Sequence, residues 1–458
     1  MIHQYKLGGQ NIVLDVYSGS VHLVDDVAYD IIQLFCTTSR EDIRQAMLDR
    51  YGDRPDVTAE EIDQCLDDVA ALRDAGKLFT QDVYAPDADT LKNRHTDIKA
   101  LCLHVAHSCN LTCSYCFAGQ GRFDGPDALM SLDVAKRAMD FLVEQSGSRT
   151  NLEVDFFGGE PLLNFDVVQE TVAYARSLEA STGKKFRFTL TTNGMNIDDA
   201  VIEFANRECH NVVLSLDGRR EVHDRERRTP GGQGSYDTIV PKFQKLVAAR
   251  GDQNYYMRGT YTHYNTDFTE DLYHMRDLGF TQLSMEPVVC PPGDPFALTE
   301  EDLPVLLDQY EKLATEMLRR EKEGGAFTFY HYMIDLAHGP CIYKRISGCG
   351  SGTEYFAVTP DGELFPCHQF VGDPAYRMGD LWKGVTNAPV QSRFKACNVY
   401  ARPDCKDCWA KLYCSGGCAA NAYHATGDIL GTYDYGCQLF RKRMECAIMM
   451  EVVRRAHQ

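Results

Sequence analysis

The stretch IKALCLHVAHSCNLTCSYCFAG, residues 98–119, joins two signals. Its first half is an apolar run of strand length that stops at Ser108. Its second half sets thiols at Cys109, Cys113 and Cys116, just past the strand's carboxyl end. Two cysteines would suggest a disulfide or a dithiol redox pair, and four a closed zinc site. Three in one short loop can bind a metal centre and leave one position free.

From this strand onward apolar segments alternate with amphipathic ones. The pattern predicts strands over 101–106, 152–157, 186–191, 211–216, 256–262 and 282–287, with helices near 131–146, 165–181, 198–207, 236–250 and 268–278. That rhythm describes βα units on a parallel sheet, whose ligands gather at the carboxyl ends of the strands. Upstream, residues 1–80 begin with QYKLGG, NIVLDVYS and SVHLVD, short alternating strands parted by Gly and Ser turns. Helices follow around 27–36, 40–50 and 59–76, the last opened by Thr58 with Glu61 three residues on, a capping-box pattern. A small sheet plus three helices reads as a winged-helix-like module. Residues 81–98 are polar and aperiodic and read as a linker. Beyond residue 340 the regular period fades into cysteine-rich loops.

Bulk properties bound the chemistry. A chain of 458 residues exceeds one ordinary core. Lys+Arg 47 against Asp+Glu 66 gives a formal charge of −19, which argues against a nucleic-acid partner. No apolar run reaches membrane-spanning length. The opening MIHQYKLGGQ shows no signal-peptide core, so a cytoplasmic location is expected. Eighteen cysteines in a reducing compartment are not a disulfide framework. Cys36, Cys65, Cys102 and Cys209 stand alone and read as core thiols. Most others gather in the loop above or after residue 340, almost without histidines, which favours Fe–S clusters over zinc.

These residues carry a resemblance. CNLTCSYC resembles the CxxxCxxC motif of radical S-adenosylmethionine (radical SAM) enzymes. FFGGEP, residues 156–161, resembles their GGE motif, and TTNG (191–194) and SLDG (215–218) end later strands as the cofactor-contacting segments do. The resemblance implies a partial (β/α)6 barrel with a [4Fe–4S] cluster on Cys109, Cys113 and Cys116. It also implies S-adenosylmethionine contacts from Tyr115, Gly158, Gly159, Glu160, Asn193, Ser215, Asp217, Arg227 and Arg258. The C-terminal cysteines resemble the SPASM extension: Cys349, then Gly362 and Cys367, then CKDCWAKLYCSGGC, then Cys437. Two auxiliary [4Fe–4S] clusters are implied, three in all. Cys405, Cys408, Cys414 and Cys437 would hold the outer one, and Cys349, Cys367 and Cys418 the inner one. Cys397 and Cys446 match nothing.

The opening MIHQYKLGGQNIVLDVYSGSVHLVDDVAYDII, with CGSGTEYFAVTPDGELFPCHQFVGD near residue 350, resembles the maturases of SCIFF peptides, enzymes that join a Cys sulfur to carbon in short cysteine-rich precursors, and the resemblance runs along nearly the whole chain. The implied layout is a winged-helix-like leader-peptide recognition domain (1–80), a linker (81–98), the barrel (99–325) and the SPASM domain (326–458). The implied partners are a Cys-rich precursor held through its leader, as an added strand on the sheet edge, and a flavodoxin- or ferredoxin-type electron donor. Cys341 stands eight residues before Cys349, where sulfatase maturases have a fourth inner-cluster ligand. Here it is expected not to bind, or to bind only until substrate sulfur arrives. Sulfatase maturases also carry Asp directly after the Cys that matches Cys367. This chain has His368 and Gln369 instead, a departure that argues against formylglycine formation and makes His368, with Cys341, a catalytic candidate. Other SPASM activities, formylglycine formation and peptide epimerisation, remain alternatives.

Overall fold

The computed structural model describes residues 1–88, 90, 97–291 and 293–456. Three antiparallel strands, β1 (Ile2–Leu7), β2 (Gln10–Asp15) and β3 (Val21–Val24), form a separate sheet in the order β1-β2-β3. Helices Asp26–Leu34, Arg40–Tyr51 and Ala59–Asp74 cover one face through Val13, Ile31, Ile43, Ile62 and Leu66. The capping box is present: the Thr58 hydroxyl accepts from Glu61 N, and the Glu61 carboxylate accepts from Thr58 N.

The other face of this sheet is not free. Tyr5, Leu7, Ile12 and Leu14 belong to the main core together with Met449 and Met450 of the long helix Asp434–Ala456. His3 stacks on Trp409 at 3.8 Å and lies 3.0 Å from the Glu445 carboxylate. Asp82 accepts from Tyr400 Oη at 2.9 Å and from the buried Lys411 ammonium at 3.2 Å. Asp82, near the start of the expected linker, is thus tied to the C-terminal region, while 89 and 91–96 of that linker lie outside the described residues. β1 and β3 are the two outer strands of this sheet, and Leu23 of β3 is exposed.

The main sheet begins at β4 (Ala100–His107), every residue of which is buried, as for a strand covered on both faces. After the two-residue β5 (Ala128–Leu129) come β6 (Asn151–Gly158), β7 (Lys185–Thr192), β8 (Cys209–Ser215), β9 (Tyr255–Tyr261), β10 (Gln282–Pro287) and β11 (Thr328–Phe329). The run β4-β6-β7-β8-β9-β10-β11 is parallel throughout. Helices Leu132–Gln145, Phe165–Thr182, Asp199–Glu208, Tyr236–Arg250 and Phe268–Asp277 provide the crossovers, the partial barrel that the rhythm predicts. Period-2 burial puts Leu152, Val154 and Phe156 toward the helices and leaves Glu153, Asp155 and Phe157 facing inward.

Past residue 340 the chain is more regular than the sequence pattern suggests. β12 (Tyr355–Val358) adds to β4 in parallel, and β13 (Glu363–Phe365), β14 (Gly379–Asp380) and β15 (Gly384–Val385) extend the same sheet as an antiparallel meander. This ties the C-terminal cysteine loops to the strand that carries the first one. Among the described residues no helix is long and apolar enough to cross a membrane.

Candidate active site

The cysteine loop leaves β4 at its carboxyl end and packs backbone to backbone on the end of β6. Gly159 N donates to Ala106 O at 2.8 Å and Glu160 N to Ser108 O at 2.9 Å. Gly158 has φ +129°, and a Cβ on Gly159 would sit 2.1 Å from Ser108 O. A side chain at either position would push the loop off the sheet. On its far side the loop is held by Thr112 N to Arg228 O at 2.7 Å and Ser114 N to Glu226 O at 3.1 Å.

The loop faces a cavity of about 460 Å³. Cys109, Cys113 and Cys116 line it together with Tyr115, Gly158, Gly159, Glu160, Asn193, Ser215, Arg227 and Arg258, all expected from the sequence. Glu160 is buried and accepts from Leu162 N (3.0 Å), Thr192 Oγ1 (2.7 Å) and Asn193 N (2.8 Å). Burial outweighs these donors and raises its carboxyl to about 7. An ammonium group arriving there would find the counter-ion it needs. Asp217 is placed differently from the expectation. It does not line the cavity but lies wholly buried behind it. There it accepts from Arg227 Nε (2.9 Å) and Nη2 (3.2 Å), Tyr115 Oη (2.6 Å) and Thr260 N (2.9 Å). Asp217 is thus a positioning residue that aims Tyr115 and Arg227 at the space beside the loop.

The C-terminal thiols fall into two neighbourhoods. Burial, then Cys418 and Cys349, push Cys367 up to about 12. Burial, then Cys437, Cys405 and Cys408, push Cys414 up to about 12. Cys102 also lies near Cys367, and Cys397 near Cys349. Cys414, Cys418 and Cys437 reach the same cavity as the first loop. Burial likewise raises Cys109 to about 12 and Cys113 to about 11, so these thiols must give up protons on binding iron. Among the described residues no three such side chains converge at the distance of a single ion. The donor set, thiols without histidine, fits an Fe–S cluster at each place.

Cys341 is exposed at the start of helix Ile342–Ser347 and does not line the cavity. His368 does, between Phe117 and Phe157 (ring centroids 5.7 and 5.1 Å), and burial followed by the Arg258 charge lowers it to about 4, a neutral imidazole. Sequence reasoning missed Arg402, whose guanidinium is fully buried among the auxiliary thiols. It donates to Gly431 O and, at 3.2 Å, to Cys397 Sγ, the thiol that matches no motif. It missed as well Glu286, on β10, and Arg443, on the long helix, both lining the cavity. No local motif marks these residues, because only the fold assembles them.

Residues 103–285 match the radical SAM superfamily and residues 349–409 match SPASM, an iron–sulfur cluster-binding domain. The chain therefore carries a radical SAM domain and, C-terminal to it, a SPASM domain. It is 25% identical over 339 residues to a cysteine-type anaerobic sulfatase-maturating enzyme of Clostridium novyi (strain NT), covering 69% of this chain and 86% of that one. Its fold is shared with native anSMEcpe with bound AdoMet (TM-score 0.64, 20% identity, 78% of this chain and 99% of that one). It is shared also with Streptococcus suis SuiB bound to precursor peptide SuiA (TM-score 0.54, 16% identity, 92% and 95%).

Proposed function

We propose that this protein forms thioether cross-links, Cys sulfur to carbon, in a ribosomally made cysteine-rich precursor peptide. The observation that carries the reading is the one cavity reached both by the Cys109 loop and by Cys414, Cys418 and Cys437. A radical source and an auxiliary site then share one chamber with room for a peptide side chain between them. Bound at these thiols, three [4Fe–4S] clusters and S-adenosylmethionine would supply a 5′-deoxyadenosyl radical and an acceptor for the surplus electron.

The chain's own part is placement. Glu160 takes the cofactor's ammonium, and Asp217 fixes Tyr115 and Arg227 beside it. Cys349, Cys367 and Cys418 give the inner site three thiols, which leaves room for a substrate sulfur; of these Cys418 lines the cavity, while Cys349 and Cys367, like Cys341, do not. Phe117 and Phe157 flank His368 on the lining. A leader segment adding to an outer strand of the N-terminal sheet, β1 or β3, fits the peptide reading. SuiB, which shares the fold, itself binds a precursor peptide, SuiA.

The likeness to sulfatase-maturating enzymes favours a second reading, formylglycine formation. Against it, the residue after Cys367 is a neutral His368 and the next is Gln369, so no carboxylate base stands there. Mass spectrometry of a precursor co-expressed with the enzyme separates these. A thioether removes two hydrogens and leaves its Cys resistant to alkylation. Formylglycine leaves a carbonyl that hydrazides trap, and an epimer leaves the mass unchanged.

A further inference from the structure

Arg402, which no motif marks, is 2% exposed and holds its charge among the auxiliary thiols. Its backbone oxygen accepts from Cys405 N at 3.1 Å. Its side chain packs against Gly416, in the turn between Cys414 and Cys418, where a Cβ would sit 3.2 Å from Arg402 Nε. Nη1 donates to Gly431 O, and Nη2 donates to Cys397 Sγ at 3.2 Å. Cys397 Sγ in turn donates to Ile429 O at 3.6 Å, and burial raises this thiol, so it stays neutral. Among the described residues no carboxylate pairs with the Arg402 guanidinium.

A guanidinium shut away from water, with a carbonyl and a neutral thiol as acceptors, is costly unless an anion stands near it. Arg402 touches the cavity, so a ligand's carboxylate is one candidate. Both of its Nη groups are committed to Gly431 and Cys397, however, which leaves no fork for two oxygens. The neighbouring thiols supply the anion instead. The Arg402 charge acts on Cys405 and Cys437 of one set and on Cys418 of the other, opposing the larger rise that burial causes in each. Iron–sulfur clusters held by thiolates are net anions, more so when reduced. A fixed cation beside them favours the reduced form.

We propose that Arg402 is the buried counter-ion of the auxiliary iron–sulfur sites and raises their reduction potential, which suits them to take the surplus electron of thioether formation. The inference rests on the reading above that both thiol sets hold clusters. It adds a role for Arg402, through its charge, and for Cys397, which holds the guanidinium in place. The sulfur–carbon bond forms from a thiolate and a carbon radical, the thiol's proton leaves to water, and the one surplus electron reduces an auxiliary cluster.

The test is an EPR-monitored reductive titration of the cluster-loaded enzyme and of Arg402→Gln. The signal that changes when S-adenosylmethionine is added belongs to the Cys109 loop and serves as an internal control. At a fixed applied potential the reduced-to-oxidised ratio of an auxiliary cluster should fall about ten-fold in Arg402→Gln, about 59 mV for a one-electron couple, while the control moves less. Arg402→Lys, which keeps the charge, should stay close to the parent. Auxiliary signals that hold their potential in Arg402→Gln overturn the proposal, as does a shift that the control shares equally. So does an Arg402→Lys enzyme shifted as far as Arg402→Gln. Should Arg402→Gln fail to load iron, Arg402→Lys must load it as the parent does. Iron loss in both variants marks a packing role and overturns the proposal as well. A parent enzyme showing only the signal that responds to S-adenosylmethionine would refute the cluster reading on which the proposal rests.

Discussion

Asp217→Ala tests the structural logic beneath the cofactor site. The carboxylate is 1% exposed and Arg227, its bidentate partner, 12%. Removing it strands a buried guanidinium, the Tyr115 hydroxyl and Thr260 N. Breaking a buried pair from one side costs about 3–5 kcal/mol. With unfolding entropy near ~2.1 cal/mol/K per residue, a chain of 458 residues has roughly 1 kcal/mol/K, so Tm should fall by about 3–5 °C. Burial alone would raise the Asp217 carboxyl, but Arg227 and His223 outweigh it and hold it below the ordinary value. A depressed carboxyl stabilises at any pH above its unfolded value, and the gain is lost only as pH falls through the folded value. The gap in Tm between parent and variant should therefore stay constant from about pH 8 to about pH 5. Differential scanning fluorimetry of both proteins across that range measures it. A gap under about 1 °C, or one that closes within that range, would refute the claim that this ion pair braces the site.

Glu160 gives a pH signature of the opposite sense. Its carboxyl is raised to about 7, so protons compete with the ammonium of S-adenosylmethionine. Calorimetry should show affinity weakening as pH falls from about 8 to about 6, approaching ten-fold per unit below the raised value. Glu160→Gln should flatten that dependence. Replacing Cys109, Cys113 and Cys116 together by Ala should remove one cluster's iron and all 5′-deoxyadenosine formation, while the auxiliary signals in EPR persist. Cys341→Ala should keep the parent's iron content, whereas Cys349→Ala should lose iron, which a colorimetric iron assay reads directly. Lys411→Met leaves Asp82 facing an uncharged chain at the junction with the N-terminal sheet. Tighter or unchanged binding of a fluorescent precursor by that variant would argue that docking of the sheet does not matter for peptide capture.

The barrel was legible because each of its strands carries its own alternation and each crossover helix its own stripe. The six strands expected between 101 and 287 appear within about two residues of their places. The cysteine sets were legible from spacing, since a motif that binds one metal centre is written locally. What was not legible is what the fold assembles from distant segments. Helix Asp434–Ala456 serves three neighbours, the N-terminal sheet, helix Asp302–Glu323 and the cavity, so its buried residues form no single stripe. The same sharing hid Arg443, which looks like one more basic residue of a surface helix until β10 brings Glu286 into view. Asp217 looks like a cofactor contact in the sequence because SLDG ends a strand. The strand's last turn instead points the carboxylate behind the cavity wall, onto Arg227. The β12–β15 extension was hidden for a different reason: its strands are two to four residues long and sit between cysteines that dominate the reading.

The central claim is that a radical made at the Cys109 loop takes hydrogen from the peptide carbon that then receives a Cys sulfur held in the same cavity. Its most direct test is turnover of a precursor deuterated at its candidate acceptor residues, with mass spectrometry of both products. The account predicts one deuterium in 5′-deoxyadenosine, and a peptide whose linked Cys resists alkylation and whose fragments join that Cys to the residue that lost the deuterium. Deuterium-free 5′-deoxyadenosine, alongside a peptide in which every Cys can still be alkylated, would contradict it.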